Sequence, residues 1–138
     1  MTRLRILYAD TDLAGVVYHA NYLRYFEQAR TELLYAAGVD LAQLHQQAGI
    51  VFAISDCALR YHRSAHYGDV IEIDVFPTKV GPARVTLGYT VTVAGQEGVY
   101  VTGETTFAAL DAESGRVVRL PEPMRRWLLA ALEERTDG

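Results

Sequence analysis

The order of helices and strands in this sequence predicts an α+β fold with a mostly antiparallel sheet. A short strand is followed by a long helix, a shorter helix, four strands and a terminal helix. Short turns join the last strands, and such strands run antiparallel because a parallel connection needs about a dozen residues or more. Since the helices do not alternate with the strands, we expect them on one face of the sheet.

Hydrophobic periodicity predicts the helices. The long helix is expected to begin at Asn21, a suitable capping residue, and to stop at Gly38. The shorter helix has Asp40 as its cap and Gly49 as its stop. The last helix follows Pro121.

Alternation of apolar and polar residues predicts the strands. They are expected over residues 4–8, 51–61, 70–76, 84–93 and 99–110. The alternation is cleanest in 84–93, and a turn at Gly81 and Pro82 separates this strand from the one before it. In the strand 51–61 we expect one buried face, with Cys57 as a buried thiol on it.

Composition narrows the class of protein. A chain of 138 residues with half of them hydrophobic is expected to form one globular domain over residues 1–138. With 13 basic and 17 acidic residues the net charge is −4, which argues against a nucleic-acid binder that neutralises phosphates. One cysteine excludes an intrachain disulfide and a cysteine-based zinc site. No apolar run approaches the ~20 residues of a membrane span, so we expect a soluble cytoplasmic protein.

Polar residues crowd into the segment before the long helix. The segment reads "YADTDLAGVVYHANY" from Tyr8 to Tyr22 and includes two aspartates, a glycine and a histidine beside two valines. From the residues alone, Asp12 is either a catalytic carboxylate or a side chain that bonds the N–H groups of its own turn. His19 is likewise either functional or a surface residue near a helix start. Asp10 is interpreted as an organiser of the loop.

This segment resembles a known family. The pattern "YxDTDxxGVVYHxNY", followed by "FEQAR" at 26–30, resembles the hot-dog-fold acyl-CoA thioesterases of the 4-hydroxybenzoyl-CoA thioesterase class, and among them the branch associated with the bacterial Tol–Pal system. The resemblance covers residues 3–110 and includes "YHRSAHYGDVIEI" at 61–73, where Ser64 replaces the usual proline. It implies a sheet wrapped around the long helix, a dimer joined edge to edge, and an active site at the dimer interface near the start of that helix.

The resemblance also implies roles for individual residues. Asp12 matches the catalytic aspartate, which acts as a nucleophile or as a general base on water; the sequence does not decide between these routes. Tyr18 matches the residue whose backbone N–H holds the thioester oxygen, and His19 matches the histidine of the Tol–Pal branch. Gly15 gives the backbone the freedom to approach a substrate closely.

Coenzyme A carries phosphates, which favour basic residues at the rim of a pocket. The candidates are Arg60, Arg63, Lys79 and Arg84, each of which could equally be a solvated surface residue. Coenzyme A would be part of the substrate, so no separate cofactor is expected. No metal is expected either, because the other histidines lack ligand spacing.

The sequence therefore predicts an acyl-CoA thioesterase acting on a short-chain or aromatic acyl group. One alternative is an enoyl-thioester hydratase on the same fold. Another is a non-catalytic acyl-thioester binder, or a scaffold for an envelope or lipid-synthesis complex. Because the edge strands of a single sheet need covering, we expect a homodimer or a homotetramer.

Overall fold

The computed structural model describes residues 1–137, and these form five strands, a 3-10 turn and three α-helices. The order is β1 (Thr2–Arg5), the 3-10 turn (Tyr8–Asp10), α1 (Asn21–Ala36), α2 (Leu41–Ala48), β2 (Ile50–Tyr61), β3 (Val70–Val80), β4 (Arg84–Val93), β5 (Val101–Asp111) and α3 (Glu122–Asp137). The strands form one antiparallel sheet in the order β1-β3-β4-β5-β2. β1 pairs with β3 in a register that runs from Thr2 opposite Ile73 to Arg5 opposite Val70.

The predicted order of elements is confirmed; β4 has its predicted bounds, and the other four strands have shifted boundaries, most strongly β1 and β3. β1 lies two to three residues earlier than expected, because the chain bends at residue 8 into the 3-10 turn. β3 continues to Val80 through Pro77. Pro77 lies beyond the part of β3 that pairs with β1, where its missing N–H removes no bond of that register.

The described residues group into two compact units. The first unit contains Met1–Glu32, Leu59–Val75 and Tyr89–Gly103; the second contains Leu33–Ala58, Phe76–Gly88 and the chain from Glu104 onward. In the first unit the Phe26 ring of α1 stacks on the Tyr89 ring of β4, with centroids 4.2 Å apart. Gly103 of β5 makes room for Phe26, because a Cβ at this position would overlap the ring.

In the second unit the ends of α1 and α2 follow the predicted capping chemistry. Gly38 adopts φ +83°, and the Val39 N–H donates to the Leu34 carbonyl at 2.8 Å in a Schellman motif. Asp40 caps α2 by accepting from the Ala42 N–H at 2.9 Å. Gly49, at φ +65°, ends that helix. All three predicted signals are therefore confirmed.

The prediction of a buried face on β2 is wrong for its middle. Residues 54–58 are all exposed, and Cys57 is one of them. The physical reason is the strand order, which places β2 at an edge of the sheet. No α-helix within residues 1–137 has the length and apolarity that crossing a membrane requires.

Candidate active site

Residues 11–17 form a narrow β-ribbon closed by a tight turn, which we call the Asp12 ribbon. Thr11 and Val17 face each other as an antiparallel bridge, and the Asp12 N–H donates to the Val16 carbonyl at 2.9 Å. The turn closes where the Gly15 N–H donates to the Asp12 carbonyl at 3.0 Å. Gly15 has φ +79°, which side-chain-bearing residues rarely adopt, and this agrees with its predicted role as a source of backbone freedom.

The Asp12 ribbon is fixed to the loop before β3. The Val17 N–H donates to the Ala65 carbonyl at 2.9 Å, and the Tyr67 N–H donates to the Gly15 carbonyl at 3.2 Å. Val17 is buried between these contacts. Main-chain hydrogen bonds to residues 65 and 67 thus hold the ribbon that carries Asp12.

The Asp12 side chain itself is exposed and lies at the tip of the ribbon. Its Oδ1 accepts a hydrogen bond from the Ala14 N–H at 2.9 Å, so the turn-bonding interpretation of this residue is correct. Its Oδ2 accepts no hydrogen bond from any residue that the structure describes. One carboxylate oxygen therefore orients the side chain while the other faces no protein donor, an arrangement that a catalytic role also requires.

The amide predicted to hold the thioester oxygen is already engaged. The Tyr18 N–H donates to the Asp10 carbonyl at 2.9 Å, which corrects the prediction for Tyr18: this donor is not available to a ligand. The next two amides along the chain, those of His19 and Ala20, donate to no acceptor among residues 1–137. The open donors thus begin one residue later than the sequence predicted, immediately before α1.

His19 lies in an aromatic setting. Its ring is exposed, with its centroid 4.6 Å from the Tyr18 ring and 6.1 Å from the Tyr61 ring. The Tyr61 hydroxyl donates to the His19 carbonyl at 3.1 Å and fixes the backbone at this position. No hydrogen bond joins His19 to Asp12 within the described chain.

The aromatic residues Tyr18, Tyr22, Phe26 and Tyr61, which could line an acyl pocket, divide into two classes by exposure. Tyr22 and Phe26 are buried in the core of the first unit, at 2% and 0% exposure. Tyr18 and Tyr61 are about half exposed and flank His19. Only the second pair remains available to contact a substrate.

Asp10 is buried beneath the ribbon, and its role as a loop organiser is confirmed. Its carboxylate forms an ion pair with the Arg24 guanidinium and accepts from the Leu7 N–H at 3.2 Å. Sequence reasoning missed Arg24, and it read Asn21 only as a helix cap, whereas the Asn21 side-chain amide donates to the Asp10 carbonyl at 2.8 Å. The spacing of Asn21 and Arg24, three apart in the first turn of a helix, is the signal that could have paired them with the preceding loop.

The four candidate phosphate contacts have different surroundings. Lys79 and Arg84 line one cavity of about 360 Å³ in the second unit, together with the turn at 81–83, Thr86 and Thr106. Arg63, in the first unit, donates to the Glu97 carbonyl at 2.6 Å and lies over the Tyr100 ring. Arg60 is exposed. In residues 1–137 no group of three His, Cys, Asp or Glu side chains has the geometry to hold a metal ion.

Comparison with known proteins identifies the family to which this chain belongs. The profile of the thioesterase-like superfamily matches residues 6–128. A 1,4-dihydroxy-2-naphthoyl-CoA hydrolase from Thermosynechococcus vestitus is 33% identical over 130 residues, 94% of this chain and 88% of its own. The acyl-CoA thioesterase YbgC of Haemophilus influenzae is 34% identical over 82 residues, 59% of this chain and 60% of its own.

Solved structures agree with the predicted fold class. The structure of a DHNA-CoA thioesterase from Staphylococcus aureus is similar to this one with a TM-score of 0.85 at 26% identity, covering 99% of this chain and 89% of that chain. The α+β hot-dog fold predicted from the sequence is therefore confirmed.

Proposed function

Because the chain belongs to the thioesterase-like superfamily, we propose that it is an acyl-CoA thioesterase, which hydrolyses its substrate to a free acid and coenzyme A. The observation that carries the proposal is the Asp12 ribbon, which presents a carboxylate with one unpaired oxygen close in sequence to the open amides of His19 and Ala20. The relative that matches 94% of the chain is named for a naphthoyl-CoA substrate, so an aromatic acyl group is favoured over a short aliphatic one.

Asp12 can act in either of two balanced routes. In the first, its free oxygen attacks the thioester carbon, the C–S bond breaks, coenzyme A leaves as the thiolate, and water hydrolyses the resulting mixed anhydride. In the second, Asp12 takes a proton from the water molecule that attacks the same carbon; the C–S bond then breaks, and the proton passes to the departing coenzyme A thiolate. The hydrogen bond from the Ala14 N–H supports both, because it fixes the side chain without occupying its second oxygen.

The amides of His19 and Ala20 are our candidates for stabilising the oxyanion. Both lie just ahead of α1, where unpaired N–H groups carry partial positive charge. They replace the Tyr18 amide, which donates to Asp10. In comparable sites the loss of one such donor lowers the rate roughly a hundred- to a thousandfold. The His19 ring, between two half-exposed tyrosines, is our candidate for bonding the thioester oxygen or orienting water.

Lys79 and Arg84 are the favoured contacts for the coenzyme A phosphates, because they share one cavity with two threonine side chains. Arg60 remains a weaker candidate on the strength of its exposure alone. Arg63 is the least favoured, since its guanidinium already bonds the Glu97 carbonyl.

We expect β2 to pair with a second copy of the chain. It is a 12-residue edge strand whose middle is exposed, including Ile54 at 47%. An edge of this length presents unpaired backbone groups that favour another strand. A homodimer joined in this way would also place the site near a subunit interface, as the family resemblance implies; a homotetramer would need a further contact.

The Tol–Pal branch, the envelope or lipid-synthesis partners and the cytoplasmic location remain predictions. The similarity to YbgC spans 59% of the chain, whereas the naphthoyl-CoA hydrolase spans 94%. Because it matches more of the chain, the naphthoyl-CoA hydrolase is the better guide to the substrate.

The test is a thiol-release assay on the purified protein with benzoyl-CoA, 1,4-dihydroxy-2-naphthoyl-CoA, butyryl-CoA and crotonyl-CoA. We expect turnover of the aromatic substrates, and a loss of about 10²- to 10⁴-fold in kcat for Asp12→Asn, the range for a positioned acid or base. Glu133→Gln, an exposed carboxylate of α3, is the matched control and should retain full activity.

Other outcomes identify the alternatives. Hydration of crotonyl-CoA without thiol release would assign an enoyl-thioester hydratase. Saturable binding of an acyl-CoA without either reaction would assign a binding or scaffold protein. Full activity in Asp12→Asn would show that hydrolysis proceeds without this carboxylate.

A further inference from the structure

A buried carboxylate lies at the base of the Asp12 ribbon. The side chain of Asp10 is only 8% exposed, and a carboxylate at such a position is costly unless it is paired and hydrogen-bonded. Its partners are the Arg24 guanidinium on Oδ1 and the Leu7 N–H on Oδ2 at 3.2 Å. The ion pair links the loop to the first turns of α1 across 14 residues of sequence.

The main chain of the same residue is equally engaged. The Asp10 carbonyl accepts from the Tyr18 N–H at 2.9 Å and from the Asn21 side-chain amide at 2.8 Å. Asp10 therefore bonds to Leu7 before the Asp12 ribbon, to Tyr18 after it, and to the first turns of α1. Because the Asp10 carbonyl occupies the Tyr18 N–H, the first amide without an acceptor is that of His19.

We infer that the Asp10–Arg24 ion pair is a positioning device for the active site: it fixes the Asp12 ribbon relative to the open amides of His19 and Ala20. The inference rests on the proposed function, because it assigns a purpose to the geometry of those groups. Asp10 and Arg24 act through Asp12 and the amides, so both are positioning residues.

The exposure of Arg24 supports this role over simple core packing. Its side chain is 59% exposed, so it fills little of the core, yet its guanidinium contacts the buried carboxylate. Removing it leaves Asp10 with one backbone donor, while the nearby Tyr25 hydroxyl makes no hydrogen bond of ordinary geometry. A buried charge that has lost its partner is strongly unfavourable, so the carboxylate should turn toward water and carry its loop with it.

The experiment compares Arg24→Met with Arg24→Lys, using benzoyl-CoA as the probe. In Arg24→Met we expect kcat to fall roughly ten- to a hundredfold, because small displacements of reacting groups cost this much, with KM changed by no more than about threefold. Arg24→Lys keeps the positive charge and should recover most of the lost kcat. The control is Arg3→Met, which removes an exposed arginine paired with Glu72 at 3.5 Å and should change kcat by less than about twofold.

Hydrogen exchange provides a readout that does not depend on activity. The amides of Leu7 and Tyr18 both donate to Asp10, so both should exchange faster in Arg24→Met than in Arg3→Met. Faster exchange together with a lysine-rescued loss of kcat supports the inference.

Three results overturn the inference: kcat in Arg24→Met within about twofold of wild type, an equal loss of kcat in Arg24→Lys, or unchanged exchange of the Tyr18 amide. Failure of the proposed function is separate. It would appear as full activity in Asp12→Asn, and the exchange of the Tyr18 amide would still decide whether the ion pair holds the loop.

Discussion

The two ends of α1 differ in how their backbone groups are satisfied. At the end of the helix, the N–H groups of Gly38 and Val39 donate to the Tyr35 and Leu34 carbonyls at 3.0 and 2.8 Å, and the chain leaves in a closed turn. Ahead of its start, the amides of His19 and Ala20 have no acceptor within residues 1–137.

The difference distinguishes the end of α1, whose backbone groups serve the structure, from its start, whose amides are open to a ligand. Unsatisfied backbone donors are expensive when buried, so a chain usually caps them, as Asp40 caps α2. Donors left open at an exposed position are available to a ligand that carries negative charge. An open helix start, whose free amides begin seven residues after Asp12 in the sequence, is thus the stronger functional signal, and the open amides are visible only in the structure.

After Asp12→Asn, the largest expected effect on kcat comes from removing an open amide. His19→Pro deletes the N–H of residue 19, and no protein hydrogen bond is lost because this N–H has no acceptor in the described chain. Relative to His19→Ala, which deletes only the ring, we expect kcat on benzoyl-CoA to fall a further hundred- to thousandfold, about the value of one oxyanion donor. Steady-state kinetics on both variants provides the measurement. Equal kcat in the two would show that this amide does not contact the transition state.

Substituting one glycine in each region allows the effect on the free energy of unfolding to be compared. Gly15, in the Asp12 ribbon, and Gly38, after α1, adopt φ +79° and +83°, and a Cβ at either meets nothing within 4 Å. Gly15→Ala and Gly38→Ala should therefore each reduce the free energy of unfolding by about 1–2 kcal/mol, through backbone strain alone. Urea denaturation measures this.

The two substitutions should differ in activity. We expect a lower kcat only for Gly15→Ala, because strain in that turn moves Asp12, whereas the Gly38 turn contains no proposed catalytic group. A similar loss of kcat in Gly38→Ala would contradict the separation of the two regions.

The sequence predicted the closed regions well because their chemistry is local. Gly38, Asp40 and Gly49 act on backbone groups within five residues, so their residue types suffice to place helix ends. The motif from Tyr8 to Tyr22 located the candidate site for a similar reason, since it lies within one short segment. Gly15 and Asp12 form the expected turn.

Contacts between distant residues account for what the sequence did not predict. The resemblance assigns the Tyr18 amide to the thioester oxygen, and its actual acceptor, the Asp10 carbonyl, could not be predicted because it lies eight residues earlier and follows no periodic pattern. Arg24 reaches Asp10 across 14 residues. Cys57 was expected to be buried because alternation marks one face of β2, yet only the strand order shows that β2 is an edge.

The smallest expected effect concerns Tyr25, next to the buried Asp10 carboxylate. Burial, and then the neighbouring Asp10 carboxylate, raise the pKa of the Tyr25 hydroxyl above its ordinary value of about 10. The native protein therefore holds this proton more tightly than the unfolded chain. Its contribution to stability is complete below about pH 10 and is lost as the pH rises toward the native pKa.

Tyr25→Phe removes the hydroxyl and keeps the ring. At pH 7 we expect the free energy of unfolding to change by less than about 1 kcal/mol, because the buried hydroxyl makes no hydrogen bond of ordinary geometry. Above about pH 10 the wild type should lose stability faster than the variant, since only the wild type has this proton to release. Urea denaturation at several pH values tests both points. A loss of several kcal/mol at pH 7 would instead show that the hydroxyl bonds Asp10, and that Tyr25 helps Arg24 to hold the loop.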